Sequence, residues 1–182
     1  MLEALQEELQ SALDLDHEAS IQKIKDTLDQ YNREYANHWQ SLFRQKLGLS
    51  IQDTQDVSLL EELLQGLHHN QLDYTLFFRN LSEGQEMPKT LETWAKKYQD
   101  RLSLEKYSVD QRLEQMCRIN PKYVLRNHLA QNAIKLAQKK DFSEVARLLK
   151  ILENPYESQA VSEDYAMGPP AELAHVAISC SS

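Results

Sequence analysis

Apolar residues recur at helical spacing almost throughout this chain. Leu2, Leu5, Leu9 and Leu13 step by three and four residues and predict a short amphipathic helix. The segment DLDH breaks it, and Asp16 reads as the N-cap of a long helix. That helix carries one stripe through Ile21, Ile24, Leu28, Tyr31, Tyr35, Trp39, Leu42 and Leu47. Gly48 follows the stripe, where helices commonly end in the left-handed conformation. The polar stretch from Ser50 to Asp56 reads as a loop. Ser58 and Glu61 have capping-box spacing and open a helix through Leu59, Leu60, Leu63, Leu64 and Leu67, weakened near its end by Gly66. Asn70 is placed to cap the next helix, whose inward set is Leu72, Leu76 and Phe77.

SEGQEMPK then reads as a loop. Leu91, Trp94, Ala95, Tyr98 and Leu102 mark a further helix, and Val109, Leu113 and Met116 a shorter one. Asn120-Pro121 is a start signal, a capping side chain followed by proline at the first helical position, for a helix reaching about Lys139. Phe142, Val145, Leu148, Leu149 and Leu152 define the last long helix, ended by Asn154-Pro155. The expected fold is therefore all-α: about seven helices over 1–152, followed by an irregular acidic tail over 153–182.

Charge changes the picture at that boundary. The 182 residues carry 20 Lys and Arg against 28 Asp and Glu, a net charge of -8. An acidic chain is a poor partner for nucleic acid, whose affinity rests on cations. Residues 153–182 hold five acids and no Lys or Arg, whereas 121–152 hold seven bases and two acids. An acidic segment after a basic helical pair predicts that the tail folds back across the last helices. Tyr156, Tyr165, Leu173, Val176 and Ile178 favour the same reading, because a free tail has no use for them. Four glycines are few for an all-β sandwich or a glycine-rich nucleotide-binding fold. No apolar run approaches the roughly 20 residues that span a bilayer. The start MLEALQEELQ is acidic, unlike a secretory leader. A cytoplasmic chain with neither nucleic-acid nor membrane partners is expected.

Tests for chemistry give little. Neither G-x-G-x-x-G nor G-x-x-x-x-G-K-[ST] occurs, and the glycines at 48, 66, 84 and 168 are too scattered for either. Glu172 and His175 form a single Glu-x-x-His pair, half of what a di-iron bundle needs, and adjacent His68 and His69 point apart on a helix. No catalytic, cofactor-binding or metal residue is assigned. Tyr31, Tyr35, Trp39 and Phe43 read as core rather than a ligand box. Cys117 falls on the stripe of Leu113 and Met116 and reads as a partly buried structural thiol. Cys180, two residues from the end in ISCSS, is the redox candidate, because exposure there favours oxidation or exchange.

Several strings are more specific. RQKLGL (Arg44 to Leu49), DYTLFFRNLS (Asp73 to Ser82), NPKYVLRNHLAQNAI (Asn120 to Ile134), NPY at 154–156, the Tyr165 to Pro170 segment and the terminal SCSS occur in one order. Together they resemble the C-terminal part of the selenoprotein O, or YdiU-like, family over essentially the whole chain. The resemblance implies a parent enzyme with a protein-kinase-like fold, a pseudokinase that transfers AMP from ATP to hydroxyl side chains of proteins using Mg or Mn. The glycine-rich loop, the ATP-gripping Lys and the metal-binding Asn and Asp of that family lie upstream of the matched strings. The segment alone is therefore expected to be inactive, completing the helical lobe of the parent. The missing N-terminal kinase-like region and the parent's protein substrates are its implied partners. The resemblance extends to Cys180, at a position taken by selenocysteine in some members, and implies a redox-active residue paired with a thiol in that region. The alternative is a free-standing helical module that binds another protein without catalysis. A segment cut from a larger enzyme should also expose an apolar face, and the N-terminal leucines with Tyr31 and Trp39 are the candidates.

Overall fold

The computed structural model describes residues 5, 7 and 17–173. Among these the regular structure is entirely helical. The α-helices are α1 (His17–Lys46), α2 (Asp56–His69), α3 (Tyr74–Ser82), α4 (Glu92–Leu102), α5 (Val109–Ile119), α6 (Asn127–Ala137) and α7 (Ser143–Leu152). Single 3-10 turns at Lys89–Leu91, Glu163–Tyr165 and Ala171–Leu173 punctuate the connections. No described helix is long and apolar enough to cross a membrane. The expected N-terminal helix and its Asp16 cap lie outside the described residues, apart from Leu5 and Glu7, which are helical and exposed.

The chain divides into two units, Met1–Phe43 and Arg44–Ser182. In the first, Ser20 and Ile24 of α1 are buried, but every residue from Lys25 to His38 is exposed. Tyr31 is 62% and Tyr35 60% exposed, their rings stacked at 6.2 Å, so these two are surface residues and not the core expected of them. Trp39 and Phe43 are half-buried and meet at 4.6 Å.

The second unit has a dense aromatic centre. Phe77 and Phe78 of α3 meet edge-on at 5.5 Å, Phe77 reaches Trp94 of α4 at 6.1 Å, and Trp94 stacks on Tyr98 at 5.0 Å. Leu59, Leu60, Leu63 and Leu67 of α2 are buried with them, as are Leu47, Leu49, Leu91 and Met116. Both polar tips in this centre are satisfied, as buried Trp and Tyr require. Trp94 Nε1 donates to the Leu59 carbonyl at 2.7 Å and Tyr98 Oη to the Leu47 carbonyl at 2.6 Å. Burial, opposed by Arg112, pushes the Tyr98 phenol up to about 12.

Two glycines permit this packing. Gly48 has φ +66°, the left-handed stop its position predicts, and a Cβ there would meet Met116 Sδ and Arg112 Cγ at 2.6 Å. At Gly66 a Cβ would meet Leu91 at 2.6 Å, so a residue that weakens α2 locally lets the Lys89–Leu91 turn close on it.

Three expected starts differ. Helix α2 begins at Asp56 and not at a Ser58–Glu61 box: Gln55 is its N-cap without a side-chain bond, and Ser58 Oγ donates back to the Gln55 carbonyl at 2.9 Å. Asn70 closes α2, its Nδ2 on the Gly66 carbonyl at 2.8 Å, while Asp73 opens α3 by accepting from the Leu76 N–H at 2.8 Å. Asn120-Pro121 starts no helix. Asn120 is the C-cap of α5, and α6 begins at Asn127. A full capping box does form at α5, where Ser108 and Gln111 bond reciprocally.

After α7 the chain returns. Ala166 is buried with Tyr123 and Ile151, and Tyr165 packs beside Leu129, Ala133 and Leu148 of α6 and α7. Tyr165 Oη also donates to the buried Glu144 carboxylate at 2.8 Å.

Replacing Gly48 with Ala should lower unfolding stability by about 1–3 kcal/mol, the range for a non-glycine residue held left-handed. Urea denaturation checks this. An unchanged midpoint would show that Arg112 and Met116 yield without loss.

Candidate functional site

The family-like strings come from separate stretches of chain, and four of them converge in the second unit. Lys46 comes from RQKLGL, Arg79 and Ser82 from DYTLFFRNLS, Asn120 from NPKYVLRN and Tyr156 from NPY. Arg79 sits on the buried face of α3, 6% exposed. Its Nη1 donates to the carbonyls of Cys117 at 3.3 Å, Asn120 at 3.2 Å and Tyr156 at 2.9 Å. Its Nε bonds Glu83, the C-cap residue of α3, at 2.6 Å. The guanidinium thus fills the role that the last turn of α5 leaves open, since terminal carbonyls have no partner inside their own helix.

Asn120 lies beside it, fully buried. Its Nδ2 donates to the Lys46 carbonyl and to Ser82 Oγ, both at 2.9 Å, and its Oδ1 accepts from Lys46 Nζ at 2.9 Å. Ser82 Oγ in turn donates to the Phe78 carbonyl at 2.7 Å. Lys46 Nζ stands 4.9 Å from the centre of the Phe78 ring and 5.4 Å from that of Tyr74. Burial holds the Lys46 ammonium below its ordinary pKa, and the aromatic faces supply attraction without a full counter-charge.

Arg126, from the same NPKYVLRN string, clamps Asp73 with two bonds, Nη1 to Oδ2 at 2.5 Å and Nη2 to Oδ1 at 3.1 Å. Burial alone would raise the Asp73 carboxyl. The Arg126 bonds and the N–H groups of Leu76 and Thr75 outweigh it and hold the carboxyl below its usual range. The extended stretch between is pinned by the Pro155 carbonyl, which accepts from the N–H groups of Lys122 at 2.8 Å and Tyr123 at 3.0 Å.

A second buried network fastens the 50–56 loop to α4. Arg101 bonds Asp56 at 2.7 Å, Glu105 at 2.8 Å and the Ile51 carbonyl at 2.5 Å. Burial would lower the Arg101 pKa and raise that of Glu105. Asp56 and Glu105 reverse the first, and Ser50 with Arg101 the second. An open recess of about 370 Å³ beside it is lined by Asp53, Glu62, Lys97 and Asp100 among others.

Chemically, these clusters position backbone. The charged groups in them are bonded to other groups of the protein. Among the described residues no group of three or more His, Cys, Asp or Glu is arranged to hold a metal ion. Cys117 is half-buried with Sγ on the Ser82 carbonyl at 3.4 Å, and burial pushes its thiol pKa up. His68 and His69 are exposed. Cys180 and His175 lie outside the described residues. Arg79, Asn120, Lys46 and Arg101 went unmarked as a constellation from sequence, because carbonyl acceptors leave no trace in it.

Comparison with known proteins follows the same strings. The family "Protein adenylyltransferase SelO" matches residues 1–153. A protein nucleotidyltransferase YdiU of Herminiimonas arsenicoxydans is 41% identical over 89% of this chain and 35% of its own length. Its counterpart in Thioalkalivibrio sulfidiphilus is 38% identical over 100% of the chain and 39% of its own length. That in Cupriavidus metallidurans is 37% identical over 90% of the chain and 33% of its own length. The chain thus spans little more than a third of the curated relatives it matches.

Removing the Arg79 guanidinium as Arg79→Met should destabilise the second unit by about 3–5 kcal/mol, as breaking a buried charged network does. Asn120→Ala should fall in the same direction with a smaller loss. The Asp73–Arg126 clamp has a pH signature. The folded carboxyl is more acidic than the unfolded one, so its stabilisation is present above the ordinary Asp pKa of ~4 and is lost as pH falls below it. Asp73→Asn should flatten that acid limb in denaturation midpoints measured across pH. An identical limb in the variant would remove the clamp as its source.

Proposed function

The chain belongs to the SelO family, and from that membership we propose that it serves as the C-terminal helical portion of a protein adenylyltransferase. In the proposed reaction a Ser, Thr or Tyr hydroxyl of a target protein attacks the α-phosphorus of ATP. The new bond joins that oxygen to AMP, the α–β phosphoanhydride breaks, pyrophosphate departs and the hydroxyl proton is released. ATP and a Mg or Mn ion would be held by a kinase-like region preceding the part matched here. Lys46, Arg79, Arg101 and Arg126 are poorly suited to gripping phosphate, because they are committed to internal partners. No step of the transfer is assigned to them.

The observation that supports this reading is the convergence of the family's strings on the Arg79–Asn120–Lys46 cluster. Four distant stretches hold one backbone arrangement, which suits a lobe that contributes by being rigid. The exposed stripe of α1, with Leu28, Tyr31, Tyr35 and Leu42 each more than two-fifths exposed, is the proposed seat for the kinase-like region. Cys180 is the proposed redox residue, forming a disulfide with a thiol of that region when an oxidant accepts the two electrons. A cytoplasmic location accompanies this reading.

Two measurements test it. The purified chain with radiolabelled ATP and Mg²⁺ or Mn²⁺ should label no protein. Fused behind the preceding two thirds of the Herminiimonas arsenicoxydans relative, it should support metal-dependent AMP incorporation. Labelling by the chain alone, or an inactive but folded fusion, would overturn the assignment. In the active fusion, oxidation followed by disulfide mapping should find Cys180 bridged, and Cys180→Ser should make activity insensitive to reduction. Activity equally sensitive in the variant would remove Cys180 from regulation while leaving the family role standing.

A further inference from the structure

An open apolar recess runs along one face of α3. Asp73, Leu76, Phe77, Asn80 and Leu81 recur at i, i+3, i+4, i+7 and i+8 and form one wall, and the chain from Gln85 to Pro88 forms the other. That second wall is fixed backbone. The Gln85 N–H bonds the Asn80 carbonyl at 2.9 Å, the Leu91 N–H bonds the Pro88 carbonyl at 2.9 Å, and Gly84 turns with φ 70°. The recess measures about 120 Å³. One water needs roughly 10–15 Å³ on that measure, so there is room for a branched side chain or two. Its charged lining groups are Asp73, tied to Arg126, and the exposed Glu86.

The returning chain leads to this recess. Tyr165 packs beside Leu129, Ala133 and Leu148 of α6 and α7. Three residues later the chain has reached the start of α3: a Cβ at Gly168 would lie 3.7 Å from Asp73 Oδ2. The path thus leaves the last helices for the residue that lines one end of the recess, and Pro169-Pro170 stiffen the next step. Residues 174–182 follow the last described turn and include no Asp, Glu, Lys or Arg. Ala174, Val176, Ile178 and Cys180 alternate with His175, Ala177, Ser179 and Ser181, the two-residue period of an extended chain with one apolar side.

We propose that this segment of the same chain occupies the recess, extended along α3 with Val176 and Ile178 against Leu76, Phe77 and Met87. Position selects the occupant. Val176 is eight residues beyond Gly168, a reach of up to roughly 28 Å, so the recess lies within its range. Such a tether holds the segment at an effective concentration on the order of mM, which a second copy or another protein would have to exceed. Charge agrees: a segment without acidic or strongly basic side chains loses little hydration on entering a recess whose inner carboxylate, Asp73, already has its partner. With Ile178 seated, Cys180 is held within about 7 Å of that anchor, two extended residues away. The docking does not depend on adenylyl transfer, and its test takes no part of Cys180 chemistry.

The test is disulfide trapping in the full chain carrying Cys117→Ser and Cys180→Ser, with oxidised glutathione as the electron acceptor. Gln85→Cys is paired with Ile178→Cys, and Leu149→Cys, on the exposed side of α7, is paired with Ile178→Cys as the control. The first pair should bridge within one chain about tenfold faster than the control or more. Adding Val176→Asp to the first pair should slow its bridging by a similar factor. In the chain with its own cysteines, Val176→Asp with Ile178→Asp should speed amide hydrogen exchange across residues 72–88. If Gln85→Cys fails to fold, Met87→Cys probes the same wall. Equal bridging in the two pairs, bridges formed between chains, or bridging and exchange both indifferent to the Asp substitutions would overturn the proposal.

Discussion

A guanidinium buried among three backbone carbonyls is the constraint on which the second unit depends. Arg79 can be desolvated only if its donors are matched, and the carbonyls it uses come from two separate pieces of chain: the last turn of α5 with its Asn120 cap, and the NPY turn after α7. Leaving any one unmade would strand both a buried charge and a buried carbonyl. The segments therefore arrive together or not at all. Asn120 extends the same logic to the end of α1 through the Lys46 carbonyl and ammonium. Apolar packing around Phe78 and Met116 supplies the driving force, and the polar contacts select one register out of the many that packing alone would tolerate.

This explains what was legible in the sequence and what was not. Helices with a one-sided stripe were readable, because burial of Leu59, Leu60, Leu63 and Leu67, or of Trp94 and Tyr98, follows from 3.6-residue periodicity. Gly48 was readable because its left-handed stop is a local matter. The misplaced starts at Asn120 and Ser58 have different causes. At Ser58 the competitor is local: the helix has already begun at Asp56, and Ser58 Oγ donates back to the Gln55 carbonyl. Asn120 has the right side chain for an N-cap, but its amide is claimed by Lys46 and Ser82 from distant strings, which single-sequence reasoning does not see. The resemblance to a family was carried by these very strings, so they were recognisable before their physical purpose was.

Helix α1 shows the opposite failure. Its stripe is continuous from Ile21 to Leu47, and periodicity alone cannot say which part of a stripe is covered. Ser20 and Ile24 are buried, Leu28, Tyr31, Tyr35 and Leu42 are not. The rings of Tyr31 and Tyr35 stack on each other along the helix. An apolar stripe of this length left open is readily understood if the relatives, nearly three times as long, bring further chain against it. On that reading, amphipathicity pointed to a contact face that belongs to a partner region and not to the core of this chain.

Charge behaves differently from the simplest reading of the tail. An acidic segment following a basic helical pair suggests neutralisation of one by the other. In the described stretch the return path is held mainly by Tyr165 and Ala166 against Leu129, Ala133, Leu148 and Ile151, and by Tyr123 Oη accepting from the Gln159 N–H at 3.2 Å. The ion pair between Lys122 and Glu163 is long at 3.8 Å, and the Glu163 side chain is 75% exposed. Such a contact in water contributes little. Arg126 is drawn inward to Asp73, and Arg147 bends to Tyr165 and Glu144. Lys139, Lys140 and Lys150 remain exposed, as do Glu153, Glu157, Glu163 and Asp164 of the acidic stretch. The apolar contacts that dock the chain thus leave most of its charges, basic and acidic alike, in water.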